Sequence, residues 1–261
     1  MEQNDLDLAL TREDYASRRE GWERELLDLT RRIRVGKVPV VIVFEGAQGA
    51  GMGRAIFDLT EKMDPRAYVV RPIAPERGFE RSRPWLWRFW MATPARGEIS
   101  IFDESWYLRV LGDRANGDVK KSEWRAAYHE IEAFERNLID DGTILVKLFF
   151  TIDRKTAKRR YLRAKRVGAP HLARRRRNLA RFPKWQKAAD EMLERTSTDR
   201  APWHVIPAKN ERFARGRMFE ILIEALKRGL DERHVPQVQP PPKVEAPLKT
   251  DGAAAPAPAR S

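Results

Sequence analysis

Apolar positions recur along this chain with two alternating periods. Between residues 6 and 34, Trp22, Leu26, Leu29 and Ile33 fall three or four apart, which predicts an amphipathic helix packed on the outside of a core. Residues 38–44 are a short β-branched run between Gly36 and Gly46, the pattern of a strand buried on both faces. A helix over 54–63 and a second strand over 68–73 follow. The aromatic run PWLWRFWMA at 84–92 predicts a helix, and the next strand spans 99–103. Tyr128, Ile131, Phe134 and Leu138 share one face of a helix over 124–140, and a fourth strand is expected over 143–151. Helices over 154–166 and 183–195 flank a piece of less definite pattern, followed by a strand over 203–207 and a closing helix over 211–230. Strands and helices alternate, which predicts an α/β fold with a parallel sheet of about five strands covered on both faces.

Composition bounds the chemistry. The chain has 261 residues and no cysteine, enough for one large domain or two small ones with a core that needs no staples. Thiol catalysis, thiolate zinc sites and disulfides are excluded, and the redox compartment is unreadable. The start, MEQNDLDLAL, is acidic and has no long apolar stretch behind a basic one, and the longest apolar run is 40–44. A soluble, cytoplasmic protein without membrane contact is expected.

Charge is unevenly placed. Lys and Arg number 51 against 38 Asp and Glu, a formal net charge of +13. Residues 154–187 hold fifteen basic side chains and no acidic one, so subtracting +15 from +13 leaves −2 for the rest. A segment this basic reads as a lid that closes on a polyanion, because unanswered charges at such density repel one another. From 236 onward, seven Pro and six Ala in 26 residues predict a flexible, partly polyproline extension. The domain expectation is therefore an N-terminal helical extension (1–35), a main domain (36–232) with its basic lid (154–187), and a disordered tail (233–261).

The turn after the first strand reads Glu45-Gly46-Ala47-Gln48-Gly49-Ala50-Gly51-Met52-Gly53-Arg54. Gly46 and Gly51 have the spacing of the phosphate-binding loop G-x-x-x-x-G-K-[ST], after a buried strand and ahead of a helix. Glycines let the backbone wrap closely round phosphate oxygens and aim N–H groups at them. The lysine position holds Met52, however, and the hydroxyl position holds Gly53. A tight glycine-rich turn without a ligand has the same pattern. The strand at 99–103 ends in Asp103, where a Mg2+-orienting carboxylate would sit, though Asp103-Glu104-Ser105 is also a plausible helix cap.

On these residues and several further stretches, the chain resembles the polyphosphate kinase type-2 family. The stretches are FEGAQGAGMG, LTEKMDPRAY, LWRFW, IFDESWYLRVL, FERNLIDDGTILVKLF and EMLERTSTDRAPWHVI. The resemblance implies a P-loop kinase-like fold that moves phosphate between inorganic polyphosphate and a nucleoside mono- or diphosphate, with Mg2+. It implies catalytic roles for Asp103, also a metal ligand, and for Arg109. It also implies phosphate binding by Gly46, Gly49, Gly51, Met52, Gly53 and Arg54. The lid would bind polyanion through Arg159, Arg163, Arg174, Arg175, Arg176 and Arg177. Three positions depart from the family pattern: Gln48 replaces an aspartate, Met52 a lysine, and Glu104 the arginine of a D-R-S-W-Y motif. Over those three and Asp103 the family pattern sums to 0, and this chain to −2.

Three function classes follow. One is a polyphosphate-dependent nucleotide phosphotransferase, with Arg54, Arg71 or a lid arginine standing in for the lost cations. A second is a catalytically inactive relative that binds polyphosphate or nucleotide and regulates an active paralogue. Nucleic-acid binding through 154–187 ranks last, because no reader motif accompanies the charge. A homo-oligomer, or a hetero-assembly with the paralogue, is the expected form. The aromatics Trp85, Trp87, Phe89 and Trp90 are expected in the core or an interface in preference to stacking on a base.

Overall fold

Val40–Gly46 (β1) is apolar at every position through Phe44, and alternate residues serve different layers. Val40, Ile42 and Phe44 join one buried cluster, whereas Val41 and Val43 join the other. A strand that must be apolar on both faces belongs at the centre of a parallel sheet. In a computed structural model, which describes residues 6–74, 76–169 and 172–237, β1 holds that position. The sheet is entirely parallel in the order β2-β3-β1-β4-β5, with β2 at Tyr68–Pro72, β3 at Ile99–Asp103, β4 at Ile144–Thr151 and β5 at Trp203–Pro207. The register places Phe44 beside Asp103 and Gly46 beside Phe150, so the carboxyl ends of β1, β3 and β4 open at one edge.

One face is covered by α1 (Arg12–Val35), α2 (Met52–Thr60) and α9 (Glu211–Asp231), which supply Leu26, Ile33, Ile56, Leu59, Phe219 and Leu222. The other is covered by α5 (Lys121–Asp140) and α8 (Phe182–Thr196), which supply Ile131, Phe134, Ala189 and Met192. Short helices α3 (Trp87–Trp90) and α4 (Gly112–Asn116) and a 3₁₀ turn (Trp106–Arg109) fill the connections. The basic segment forms α6 (Arg154–Arg166) and α7 (Leu172–Ala180) and runs into α8.

Differences from the sequence expectation have local causes. The first helix starts at Arg12 and not at 6, because Thr11 caps it by accepting a hydrogen bond from the Asp14 N–H at 3.1 Å. The aromatic stretch 84–92 yields only the four residues of α3. Its side chains anchor separately, with Phe89 buried and Trp90 edge-on to Phe134 at 4.5 Å. The Pro/Ala-rich tail lies, from 238 onward, outside the described residues. Among the described residues no helix is long and apolar enough to cross a membrane.

Candidate functional site

The glycine loop is built by β1 and β4 together. Gly46 has φ 154°, and a Cβ there would lie 2.3 Å from the Phe150 carbonyl oxygen, so only glycine fits against β4. The Ala47 N–H donates to that same carbonyl at 2.9 Å. Gly49 and Gly51 also have positive φ, 87° and 98°. Gly51 caps α2 with no side-chain acceptor, which leaves the helix N-terminus able to receive an anion. Arg160 of α6 braces the loop, donating to the carbonyls of Gly49 at 2.7 Å and Ala208 at 2.9 Å.

The two loop positions that break the family pattern go separate ways. Gln48 lines a cavity with Gly46 and Gly49, while Met52 turns down and packs on the core. Gly53 is exposed at the start of α2. Arg54 lies 2.8 Å from Asp58 and over the Phe57 ring, and with Gly51 it borders a different, small hollow. The sequence placed Arg54 among the phosphate ligands; the fold sets it at this second hollow and outside the lining of the larger cavity.

Across from the loop, β3 ends in three polar residues with different tasks. Glu104 has φ 63°, an unusual conformation for a glutamate, and its N–H donates to the Phe44 carbonyl at 3.0 Å. Ser105, and not Asp103, is the cap: its hydroxyl accepts from the Tyr107 N–H at 3.2 Å and donates to Glu45 at 2.7 Å. Asp103 is therefore free of capping. Burial pushes the Glu45 carboxyl up to about 8, with the negative charges of Glu104 and Asp103 adding to it. Burial and Glu104 likewise raise Asp103, and Arg174 opposes them. Three carboxylates thus crowd one corner, and the Arg174 guanidinium from the lid ion-pairs with Glu104.

The motif aromatics point into the protein. Trp106 Nε1 and Tyr107 OH donate to Glu135 at 3.1 and 2.6 Å, and Glu135 is 2.8 Å from the fully buried ammonium of Lys147 on β4. Burial draws the Lys147 ammonium down from its ordinary range, against the pull of Glu135. This cluster locks the 3₁₀ turn to the sheet and so fixes where Ser105 and Asp103 stand. Sequence reasoning missed it, and its only signal was a lysine inside an otherwise apolar strand.

A cavity of about 810 Å³ lies between the loop, the end of β3 and the lid. Of the six lid arginines expected to meet a polyanion, Arg174, Arg175 and Arg177 line it. Arg159, Arg163 and Arg176 are exposed and lie outside the lining. Ala157 and Tyr161 of α6 also line the cavity, and most of α7 does, with Ala173, Asn178 and Leu179 beside the three arginines. Arg177 pairs with Asp118 at 2.5 Å. Arg109 also lines the cavity, lying over the Trp85 ring at 5.4 Å and 3.6 Å from Glu123. Asp113, on the same wall, is raised to about 6 by burial and then by Asp118.

A parallel sheet in this order, with a glycine loop opening a helix beside a strand-terminal carboxylate under a basic helical lid, defines a P-loop kinase-like protein. The chain belongs to the polyphosphate kinase 2 family, whose model matches residues 9–234. It is 38% identical over 227 residues to a polyphosphate:AMP phosphotransferase of Pseudomonas syringae pv. tomato, covering 86% of this chain. A crystal structure from Pseudomonas aeruginosa PA01 superposes with TM-score 0.82 at 35% identity, covering 88% of this chain and 50% of that one. Polyphosphate kinase 2 from Arthrobacter aurescens TC1 superposes with TM-score 0.81 at 25% identity, covering 90% and 86%. The chain spans about half the length of the Pseudomonas syringae relative, 46%.

Proposed function

We propose that the chain transfers phosphate between inorganic polyphosphate and a nucleoside mono- or diphosphate, with residues 36–232 as the working unit and 154–187 as its lid. The observation that carries the reading is the lid's seat: Arg174, Arg175 and Arg177 line the same cavity as Gly46, Gly49 and the β3 end. Arginine forks suit phosphate oxygens, and phosphoryl transfer needs chiefly positioning and charge stabilisation. Polyphosphate would lie under α7, with its reacting end at the loop and Asp103. The nucleotide would enter from the side of Arg109 and Trp85.

Mg2+ fits this donor chemistry. Among the described residues no group of three or more carboxylate or imidazole side chains is arranged to enclose a metal. Mg2+ is commonly held by one or two carboxylates together with substrate phosphates, and Asp103 offers one. Burial first, and then the charge of Glu104, raise Asp103 and Glu45, and a divalent cation would offset that charge. When bound, the ion would neutralise charge on the transferring phosphate.

A second reading, binding without turnover, is favoured by Met52 facing the core and by the negative Glu104. Purified protein given polyphosphate, Mg2+ and AMP, ADP or GDP separates the two. Product formation abolished by Asp103→Ala supports transfer. Binding without product, with turnover gained on combining Gln48→Asp, Met52→Lys and Glu104→Arg, supports the inactive reading and sinks the first.

A further inference from the structure

Among the described residues, several cations near the glycine loop are held by partners away from the β3 end. Arg54 is held by Asp58, Arg160 by three backbone carbonyls, and Arg109 by Glu123 and Trp85. Among the described residues Arg174 alone ion-pairs with the carboxylate corner at the end of β3, reaching from α7 to Glu104. We propose that Arg174 is the cation that contacts the transferring phosphate and that Glu104 is its positioning residue, so that the site regains from the lid the charge missing from its own motif. The inference rests on the proposed transferase reading.

Several features make Glu104 suited to hold an arginine in one place. Its backbone is fixed by the hydrogen bond to Phe44 and by the capped turn that begins at Ser105. Its side chain is 15% exposed, against 45% for Arg174, so the carboxylate is the anchored member and the guanidinium still faces the cavity. A guanidinium has five donors in a planar fork, and the Glu104 pair uses the Nη2 end. The remaining donors are available for phosphate oxygens. An ion pair so exposed adds little to stability, which leaves orientation as its main effect. A further consequence is conditionality: a cation fixed on the β3 end is always present, whereas one carried on α7 is present only while the lid is closed.

The test uses the full chain, with Arg24→Gln on α1 as a control that removes the same charge far from the cavity. Arg174→Gln is expected to lower kcat about 100-fold, the effect of losing one stabilising donor, and Arg174→Lys to recover part of it. Glu104→Gln is expected to lower kcat about tenfold while the polyphosphate KM stays level or falls, since an anion has left the site. Thermal midpoints matching the control separate these effects from unfolding. Wild-type kcat in Arg174→Gln overturns the proposal. So does a rise of kcat in Glu104→Gln, which would make the pair an inhibitory latch. If the wild type transfers no phosphate, the function reading has failed, and binding of end-labelled polyphosphate decides the Arg174 contact alone. Arg174→Gln should then weaken it about tenfold relative to Arg24→Gln, and equal affinity overturns the contact.

Discussion

Lys147→Met is the perturbation with the clearest expected magnitude. The Lys147 ammonium is fully buried and satisfies its three protons on Glu135 at 2.8 Å, the Thr196 carbonyl at 2.6 Å and Tyr107 OH at 3.2 Å. Methionine fills much of the volume but leaves Glu135 as a buried charge without a counter-ion. Breaking a buried pair in this way costs about 3–5 kcal/mol. Here the lower end is expected, because Trp106 and Tyr107 go on donating to Glu135. At about 2–4 °C per kcal/mol for a chain of this size, a loss of about 3 kcal/mol lowers Tm by about 6–12 °C. Urea unfolding at pH 7 measures it directly. Adding Glu135→Gln removes the stranded charge and should return about 1–2 kcal/mol, a coupling that a double-mutant cycle isolates. A single variant within 0.5 kcal/mol of wild type, taken as an estimate of assay error, or a double variant worse than the two losses added, would refute the account. Because the cluster holds the turn after Asp103, Lys147→Met should also reduce transfer at temperatures where the protein stays folded.

Other outcomes follow from the same geometry. Glu45 titrates near 4.5 when exposed and near 8 in the folded chain, so folding takes up a proton throughout that interval. The contribution to stability is full below pH 4.5 and is lost as pH rises through 8, on the order of 5 kcal/mol at most for ~3.5 powers of ten. In Mg2+-free buffer, Glu45→Gln should therefore flatten the decline of Tm between pH 6 and 9, and identical slopes in both proteins would exclude this role for the buried carboxyl. Gly46→Ala drives a methyl into the Phe150 carbonyl at 2.3 Å and should cost about 3 kcal/mol or more, seen as lost soluble yield or a depressed Tm. If Arg174, Arg175 and Arg177 are the polyphosphate contacts, log affinity against log salt should fall with a slope of about −2 to −3. A slope near zero would mean that the cavity arginines are not displacing counterions.

How much of this was legible depended on whether a feature was local. The strands at Ile99–Asp103 and Trp203–Pro207 and the helix at Arg154–Arg166 lie where the pattern predicts them, since each is bounded by a change of period. β1 begins at Val40 and runs to Gly46, two residues beyond the predicted end. Its last two residues pair with Phe149 and Phe150 of β4, and that pairing is invisible until the strands meet. The glycines and Asp103 could be read because loop and strand end are short motifs. Arg174 could not be singled out: in a segment where every helix face carries Lys or Arg, the period that normally separates inward from outward positions is erased. The pair that selects it joins residues 70 apart in sequence.

The concentration of +15 in one segment led to an expectation of mutual repulsion relieved by a polyanion, and the fold shows what answers part of it. Arg174 pairs with Glu104, Arg177 with Asp118, and Arg181 donates to the Asn116 carbonyl. The body is only slightly acidic as a whole, yet it presents Glu104 and Asp118 where the lid descends. On the proposed reading, polyphosphate entering the cavity would have to compete with Asp118 for Arg177 as well as neutralise guanidiniums, and the net gain there would be smaller than the lid's charge suggests. Of the three lid arginines that line the cavity, Arg175 is the one whose buried Nε has no hydrogen-bond partner. A single phosphate would gain little by displacing a carboxylate that is already in place, whereas a chain that meets Arg175, takes the Arg174 donors that Glu104 leaves open and displaces Asp118 would gather several small gains in one event. If the proposed reading holds, a preference for a long polyanion over a short one would come from the body's own acidic side chains as well as from the basic lid.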